Sequence, residues 1–195
     1  MKLIAEAPPT LGPRVQLGSG RKAVADWFTV DIAVTHSPDL VADLAIDWPF
    51  RDQSVALLQM EHVLEHLPEP SHVLAECYRV LLPGGVAQIT APHASSPFAV
   101  ADPTHQRFFN GLSLDFFCVP GQVRSLPGTY DHKLRLFEMV SRRYTFGGIL
   151  GLPVWRLLGL ERLAGMFPLA FEKWFAPWFP FGGCDVTWCL RRPVL

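Results

Sequence analysis

An excess of charge of either sign is what this 195-residue chain most plainly lacks: 17 Lys and Arg stand against 18 Asp and Glu, a formal net charge of −1. With a pI near 6.6, it carries no basic stripe of the kind a nucleic-acid groove needs, so no nucleic-acid partner is expected. Cysteine is sparse. Cys77, Cys118, Cys184 and Cys189 form neither a C-x-x-C pair nor a dense framework, which argues for reduced thiols in a cytoplasmic protein. Even the most apolar stretch, 146–183, has no uninterrupted run of about 18 apolar residues, since Arg156, Glu161, Arg162, Glu172 and Lys173 intervene, so it is not expected to span a bilayer. The first residues, MKLIAEAPPT, lack both a long apolar core and a small-residue cleavage site, so a secretory signal is not expected there. At this length the prior is a single domain, 1–195, large enough for a central sheet and helical layers.

What is present is concentrated in residues 54–92. SVALLQM and VAQITAP are short apolar runs that read as buried strands. Between them, His72 to Leu82 places Val73, Leu74, Cys77, Tyr78 and Leu81 on one helical face, and Pro83-Gly84-Gly85 is expected to end that helix. Strand, helix, glycine turn, strand is a βαβ unit, hence a parallel sheet whose ligand edge lies at the strands' carboxyl ends. Upstream, Arg14 to Leu17 reads as a first strand landing on Gly18-Ser19-Gly20, where two glycines let backbone approach a ligand. Only residues 21–27 separate this turn from a second strand, Phe28 to Ile32. Parallel crossovers usually need about a dozen residues, so the first helix is expected to be shortened or lost. Asp31 closes the second strand, where a carboxylate can accept from vicinal hydroxyls or cap an ordinary turn. Asp39 to Leu44 alternates into a third strand, with Asp43 either a ligand contact or a turn residue before Trp48-Pro49-Phe50.

Glu61-His62-Val63-Leu64-Glu65-His66-Leu67, then Glu76, Tyr78-Arg79-Val80-Leu81 and Pro83-Gly84-Gly85, resemble the central segment of class I S-adenosylmethionine-dependent methyltransferases. The resemblance is to the broad methyltransferase type 11 group and spans about residues 14 to 110. It implies an α/β, Rossmann-like three-layer sandwich with a mostly parallel seven-stranded sheet whose last strand runs antiparallel beside the sixth. It further implies S-adenosylmethionine as cofactor, with Gly18, Ser19 and Gly20 at its amino-acid end. Asp31 and Ile32 would then lie by the ribose, Asp43 and Leu44 by the adenine, and Met60 and Glu61 alongside. Losing the first helix departs from the family pattern and removes a helix dipole from the cofactor carboxylate, which predicts weaker or more exposed binding.

The histidines admit rival readings. His62-Val63-Leu64-Glu65-His66 fits H-x-x-E-H, a zinc-peptidase signature, which would need His62 and His66 on one face of a long helix. Pro68 and Pro70 cut that helix short, so a zinc hydrolase is the lesser alternative. After the fifth strand, a proline-rich loop concentrates His93, Asp102 and His105. A histidine there suits general-base catalysis, with Asp102 fixing its tautomer. The same residues could instead bind a metal, or Asp102 could simply cap its own turn before Pro103.

Leu112 to Phe117 reads as a helix or turn, Lys133 to Tyr144 as a sixth strand and Asp185 to Arg192 as the last. Between them, 146–183 is an aromatic-rich insertion with Trp155, Trp174, Trp178 and six phenylalanines, and Val154 to Met166 has helical periodicity. A lid, a homodimer interface and a peripheral membrane-docking element compete for it. The expected activity is methyl transfer to a small-molecule or lipid-linked acceptor. The alternative from another class is a catalytically silent interaction module of the same fold.

Overall fold

The computed structural model describes residues 12–119, 136–147, 158–176 and 184–194. Seven strands build one sheet: β1 (Arg14–Leu17), β2 (Phe28–Asp31), β3 (Leu40–Val41), β4 (Val55–Glu61), β5 (Leu81–Pro92), β6 (Glu138–Phe146) and β7 (Cys184–Arg191). Their order is β3-β2-β1-β4-β5-β7-β6. The first five pair in parallel, while β7 runs antiparallel to both β5 and β6. Strand order reverses between β1 and β4, so a crevice is expected at the carboxyl ends of those two strands. The fold is Rossmann-like.

One face of the sheet is apolar. Val15, Leu17, Leu58, Met60, Ala87, Ile89, Val186, Trp188 and Leu190 are all buried in the main core, as strand alternation requires. The helix α1 (Pro70–Val80) joins β4 to β5 and adds Val73, Leu74, Cys77 and Val80 to that core. Pro70 suits its first position because no intrahelical partner is needed there for the missing N–H. The other face differs. Thr29, Gln16, Gln59, Gln88, Cys189 and Ser141 stand in register across six strands, a mostly polar row. Residues 18–27 form turns and no helix, and only a 3-10 turn (Val34–His36) separates β2 from β3. Beside that row the same face carries a small buried apolar cluster, Leu57, Val86 and Cys189 with Trp27 and Val140. Gln16 holds the β1–β2 loop there, donating to Lys22 O (3.1 Å) and accepting from Val24 N (2.8 Å).

Several boundaries differ from the sequence reading. α1 stops at Val80, not Leu82, because Leu81 already pairs with Val55 and its buried side chain belongs to the sheet. Pro83-Gly84-Gly85 therefore lies within β5, where Gly84 N donates to Arg192 O and Arg192 N to Gly85 O, both 2.9 Å. β3 shrinks to two residues, since Asp39 turns its carboxylate onto Thr29 N and Oγ1, each 2.8 Å away, rather than extending the ladder. Ser113–Phe117 forms a 3-10 turn, and β6 begins at Glu138. A short helix, α2 (Pro97–Ala101), follows β5; of the insertion, the described part comprises α3 (Leu160–Met166), a turn at Pro168–Ala170 and a π-turn at Phe171–Phe175. The expectations for residues 133–135, 154–157 and 177–183 lie outside the described residues. α3 packs along edge strand β6, where Glu161 accepts from Phe146 N at 3.1 Å. No described helix is long and apolar enough to cross a membrane.

Candidate active site

The glycine turn after β1 is set by backbone geometry. Gly18 and Gly20 have φ of +66° and +53°, values that favour glycine. A Cβ on Gly18 would stand 2.2 Å from Val63 Cγ2, whereas nothing lies within 4 Å of the corresponding position on Gly20. The turn therefore rests on the β4 tip at one glycine and is open at the other. Gly20 N donates to Asp31 Oδ2 at 2.7 Å, and Ala33 N to Asp31 Oδ1 at 2.8 Å. His36 Nδ1 lies 3.4 Å from the same Oδ1. Burial alone would raise the Asp31 carboxyl, but the Ala33 and Gly20 N–H groups, then His36, carry it below its ordinary value. It is an ionised acceptor with lone pairs remaining on both oxygens.

The neighbouring strand tips meet it. Ala42 N donates to Asp31 O at 3.1 Å, which brings Asp43 to the same edge of the sheet. Asp43 is exposed and accepts from Ala45 N at 2.8 Å, while Leu44 points into the core. Ile32 is 67% exposed beside Asp31. Ser19 is buried in the turn, Met60 is buried in β4, and Glu61 is exposed at the end of β4.

Beyond β4 the H-x-x-E-H segment is not a helix. His62 adopts φ +54°, and only Leu64–His66 forms a 3-10 turn. The two imidazoles consequently part company, which removes the shared helical face that a zinc-peptidase pair requires. His62 Nδ1 lies 3.3 Å from Glu65 Oε1 and its Nε2 3.7 Å from Asp185 Oδ2. The Glu65 carboxylate, then Asp185, raise the His62 imidazole against the opposing effect of burial. His66 turns instead toward His105, ring centroids 4.7 Å apart.

The loop residues His93, Asp102 and His105 do not assemble into one constellation. His93 is buried, with Nδ1 2.7 Å from Ser95 Oγ and Nε2 3.0 Å from Glu172 Oε2. Asp102 is exposed and caps its own turn, accepting from Thr104 N (2.8 Å) and Thr104 Oγ1 (2.6 Å). Its other oxygen stays 3.8 Å from His105 Nε2, beyond hydrogen-bond reach. His105 is oriented instead by Ala99 O, 2.8 Å from Nδ1.

Sequence reasoning missed Glu172. Besides His93, it accepts from Tyr144 Oη at 2.8 Å and Gly111 N at 2.6 Å. Burial would raise this carboxyl, but His93, Tyr144 and the Gly111 N–H hold it below its ordinary value. Burial, then Glu172, pushes the Tyr144 phenol up. The one available signal was an acidic residue inside the aromatic run FEKWF. Glu76 and Arg79, by contrast, were singled out as motif residues, and their role is a clamp. Arg79 Nε and Nη2 both donate to Glu76 at 2.7 Å, and the guanidinium also reaches Trp48 O, Phe50 O and Asp52.

Residues 17–89 match the family model described as a methyltransferase domain. A ubiquinone biosynthesis O-methyltransferase of Pseudomonas savastanoi pv. phaseolicola is 33% identical over 73 residues, 36% of this chain and 30% of that protein. The match thus spans less than a third of that curated relative. Among solved structures, a SAM dependent methyltransferase from Archaeoglobus fulgidus superposes with a TM-score of 0.56 at 17% identity, covering 93% of this chain and 86% of that one. The 4+2 cyclase SpnF gives 0.52 at 16% identity, covering 94% and 76%. At such identities the likeness is one of fold, which does not by itself name a reaction. Residues 17–89 thus match a methyltransferase domain, and they build part of a Rossmann-like sheet shared with solved S-adenosylmethionine-dependent methyltransferases.

Proposed function

We propose that the protein holds S-adenosylmethionine on the glycine turn and Asp31, and transfers its methyl group to an oxygen of a small-molecule or lipid-linked acceptor. The observation that carries this reading is the 2.7 Å hydrogen bond from Gly20 N to Asp31 Oδ2, which ties glycine turn to acidic strand tip at the point where strand order reverses. The residues fit the cofactor. Open space beside Gly20 suits its amino-acid end, the remaining Asp31 lone pairs suit two ribose hydroxyls, and exposed Ile32 offers an apolar surface to the adenine. Asp43, Met60 and Glu61 would complete the lining.

When bound, the cofactor supplies a sulfonium methyl that is already a strong electrophile. The protein's part is therefore mainly in-line positioning. On the acceptor side, a hydroxyl would pass its proton to the Nε2 of His105, whose Nδ1 is held by Ala99 O. Oxygen as the acceptor atom follows the O-methyltransferase likeness of residues matched to the Pseudomonas protein. The silent-module alternative draws on one feature, the absence of a helix in residues 18–27, which leaves the cofactor's amino-acid end more exposed.

Methyl-labelled S-adenosylmethionine, incubated with phenolic acceptors with and without prenyl tails, tests the reading. Label should move to at least one acceptor, and at sub-saturating cofactor transfer should fall about 30-fold in Asp31→Ala. Cofactor binding without transfer to any acceptor would favour the silent module, and neither binding nor transfer would end both.

A further inference from the structure

Glu65 is only 1% exposed, and apart from His62 Nδ1, 3.3 Å from Oε1, no donor among the described residues reaches its carboxylate. A carboxylate taken out of water with so little compensation is costly. Its surroundings are specific. Glu65, His66 and His105 each offer a ligand atom, and these atoms lie within 4.8 Å of one another. His105 Nε2 stands 4.0 Å from Glu65 Oε1.

Both imidazoles are held in one tautomer. His105 Nδ1 has Ala99 O at 2.8 Å, and a carbonyl can only accept, so Nδ1 carries a proton and in the neutral ring Nε2 is the lone pair a metal would take. Thr104 Oγ1 donates to the Asp102 carboxylate at 2.6 Å, which leaves it to accept from His66 Nδ1 at 3.0 Å. In the neutral ring His66 Nε2 is then likewise the lone pair. Carbonyl or carboxylate-linked partners on the far nitrogen are the usual supports of metal-binding histidines.

The two segments that carry these groups are fastened together before any ligand arrives. Gln106 N and Arg107 N donate to Glu65 O at 2.8 and 3.1 Å, and Gln106 Nε2 donates to His66 O at 2.9 Å. Arg107 Nη2 reaches Pro68 O. We propose that Glu65, His66 and His105 form a three-ligand site for a divalent first-row transition cation, zinc in the first instance. Two neutral imidazoles and one carboxylate make a borderline-soft set that suits zinc, cobalt or nickel better than magnesium or calcium. Tetrahedral zinc brings ligand atoms to about 3.4 Å from one another, so small side-chain rotations would close the set and leave a fourth position open. The site differs from H-x-x-E-H: His62 is replaced as ligand by His105, from the loop after β5. It sits on the edge of the crevice, since Val63, two residues before Glu65, is the side chain a Gly18 Cβ would strike. The proposal concerns binding and stands whether or not methyl transfer is the reaction.

Titration of the metal-free full chain with zinc by calorimetry, and with cobalt by visible absorption, tests it. One zinc per chain should bind with Kd in the micromolar range or tighter, and a hundredfold excess over Kd should raise the melting temperature by about 5–10 °C. Cobalt should give a nitrogen- and oxygen-ligated tetrahedral or five-coordinate spectrum. His66→Ala and His105→Ala should each weaken binding at least tenfold, while His72→Ala, on α1, should not. Glu65→Gln guards against mere misfolding: it should melt within a few degrees of the metal-free parent, since it loses both a buried charge and its pairing with His62, yet gain nothing from zinc. Binding no tighter than millimolar, unchanged binding in the His105 variant, or loss in His62→Ala with retention in His105→Ala would each overturn the assignment.

Discussion

Arg79→Met takes five hydrogen bonds from one point of the molecule while keeping a long side chain along α1. Two of the five, to Glu76, are charge-assisted and 2.7 Å long, and Glu76 is 7% exposed. The Asp52 contact is worth little, because that carboxylate is 72% exposed. The carbonyls of Trp48 and Phe50 lose a donor that water can partly replace. What remains is the stranded Glu76 carboxylate, whose other partner is Trp48 N at 2.8 Å. Breaking a buried pair from one side costs about 3–5 kcal/mol, and the partial exposure of Arg79 argues for the lower end, about 3 kcal/mol. For a chain of this size that is a drop in melting temperature of about 6–12 °C by circular dichroism. Arg79→Met/Glu76→Gln should recover part of the loss, since the second change removes the stranded charge. The sign of the pH dependence follows from Glu76. Arg79, against burial and with help from Trp48 N, lowers its carboxyl from 4.5. The contribution is then complete above about pH 4.5 and drains away as pH falls through the lowered native value. The gap between parent and Arg79→Met should narrow over that acid range. A melting point within about 2 °C of the parent at neutral pH would refute the clamp.

Gly18→Ala should destabilise the fold and abolish S-adenosylhomocysteine binding, because a Cβ meets Val63 at 2.2 Å at a positive φ; Val63→Ala in the same chain should restore part of the melting temperature. Glu172→Ala leaves Tyr144 Oη, Gly111 N and His93 without an acceptor, and should lower stability by about 3 kcal/mol in urea melts, whereas an unchanged midpoint would mean the network carries no weight. Gln59→Val on the polar sheet face should be nearly neutral in thermal melts if no apolar layer packs there, and clearly stabilising or destabilising if one does.

The parallel sheet was legible because its signal is local. β1 fell where a short apolar run met a glycine turn, and the brevity of residues 21–27 foretold the missing helix. The ends of α1 and β3 were less so, since tertiary pairing decided them: Leu81 is claimed by Val55, and Asp39 by Thr29. The glycine turn and Asp31 could be placed from the sequence for the same local reason. The histidines could not. His93 finds Glu172 across 79 positions, and His66 finds Thr104 across 38, contacts that no spacing rule encodes. Asp102 did what a short polar residue before proline commonly does, and capped its own turn.

Calorimetry with S-adenosylhomocysteine, on the parent and on Asp31→Ala, bears most directly on the crevice between the glycine turn and the acidic strand tip. The parent should bind one equivalent. Losing the hydroxyl-to-carboxylate bonds should weaken this by about 2 kcal/mol, about 30-fold. No heat of binding by the parent at millimolar ligand, or equal affinity in the two proteins, would contradict the account.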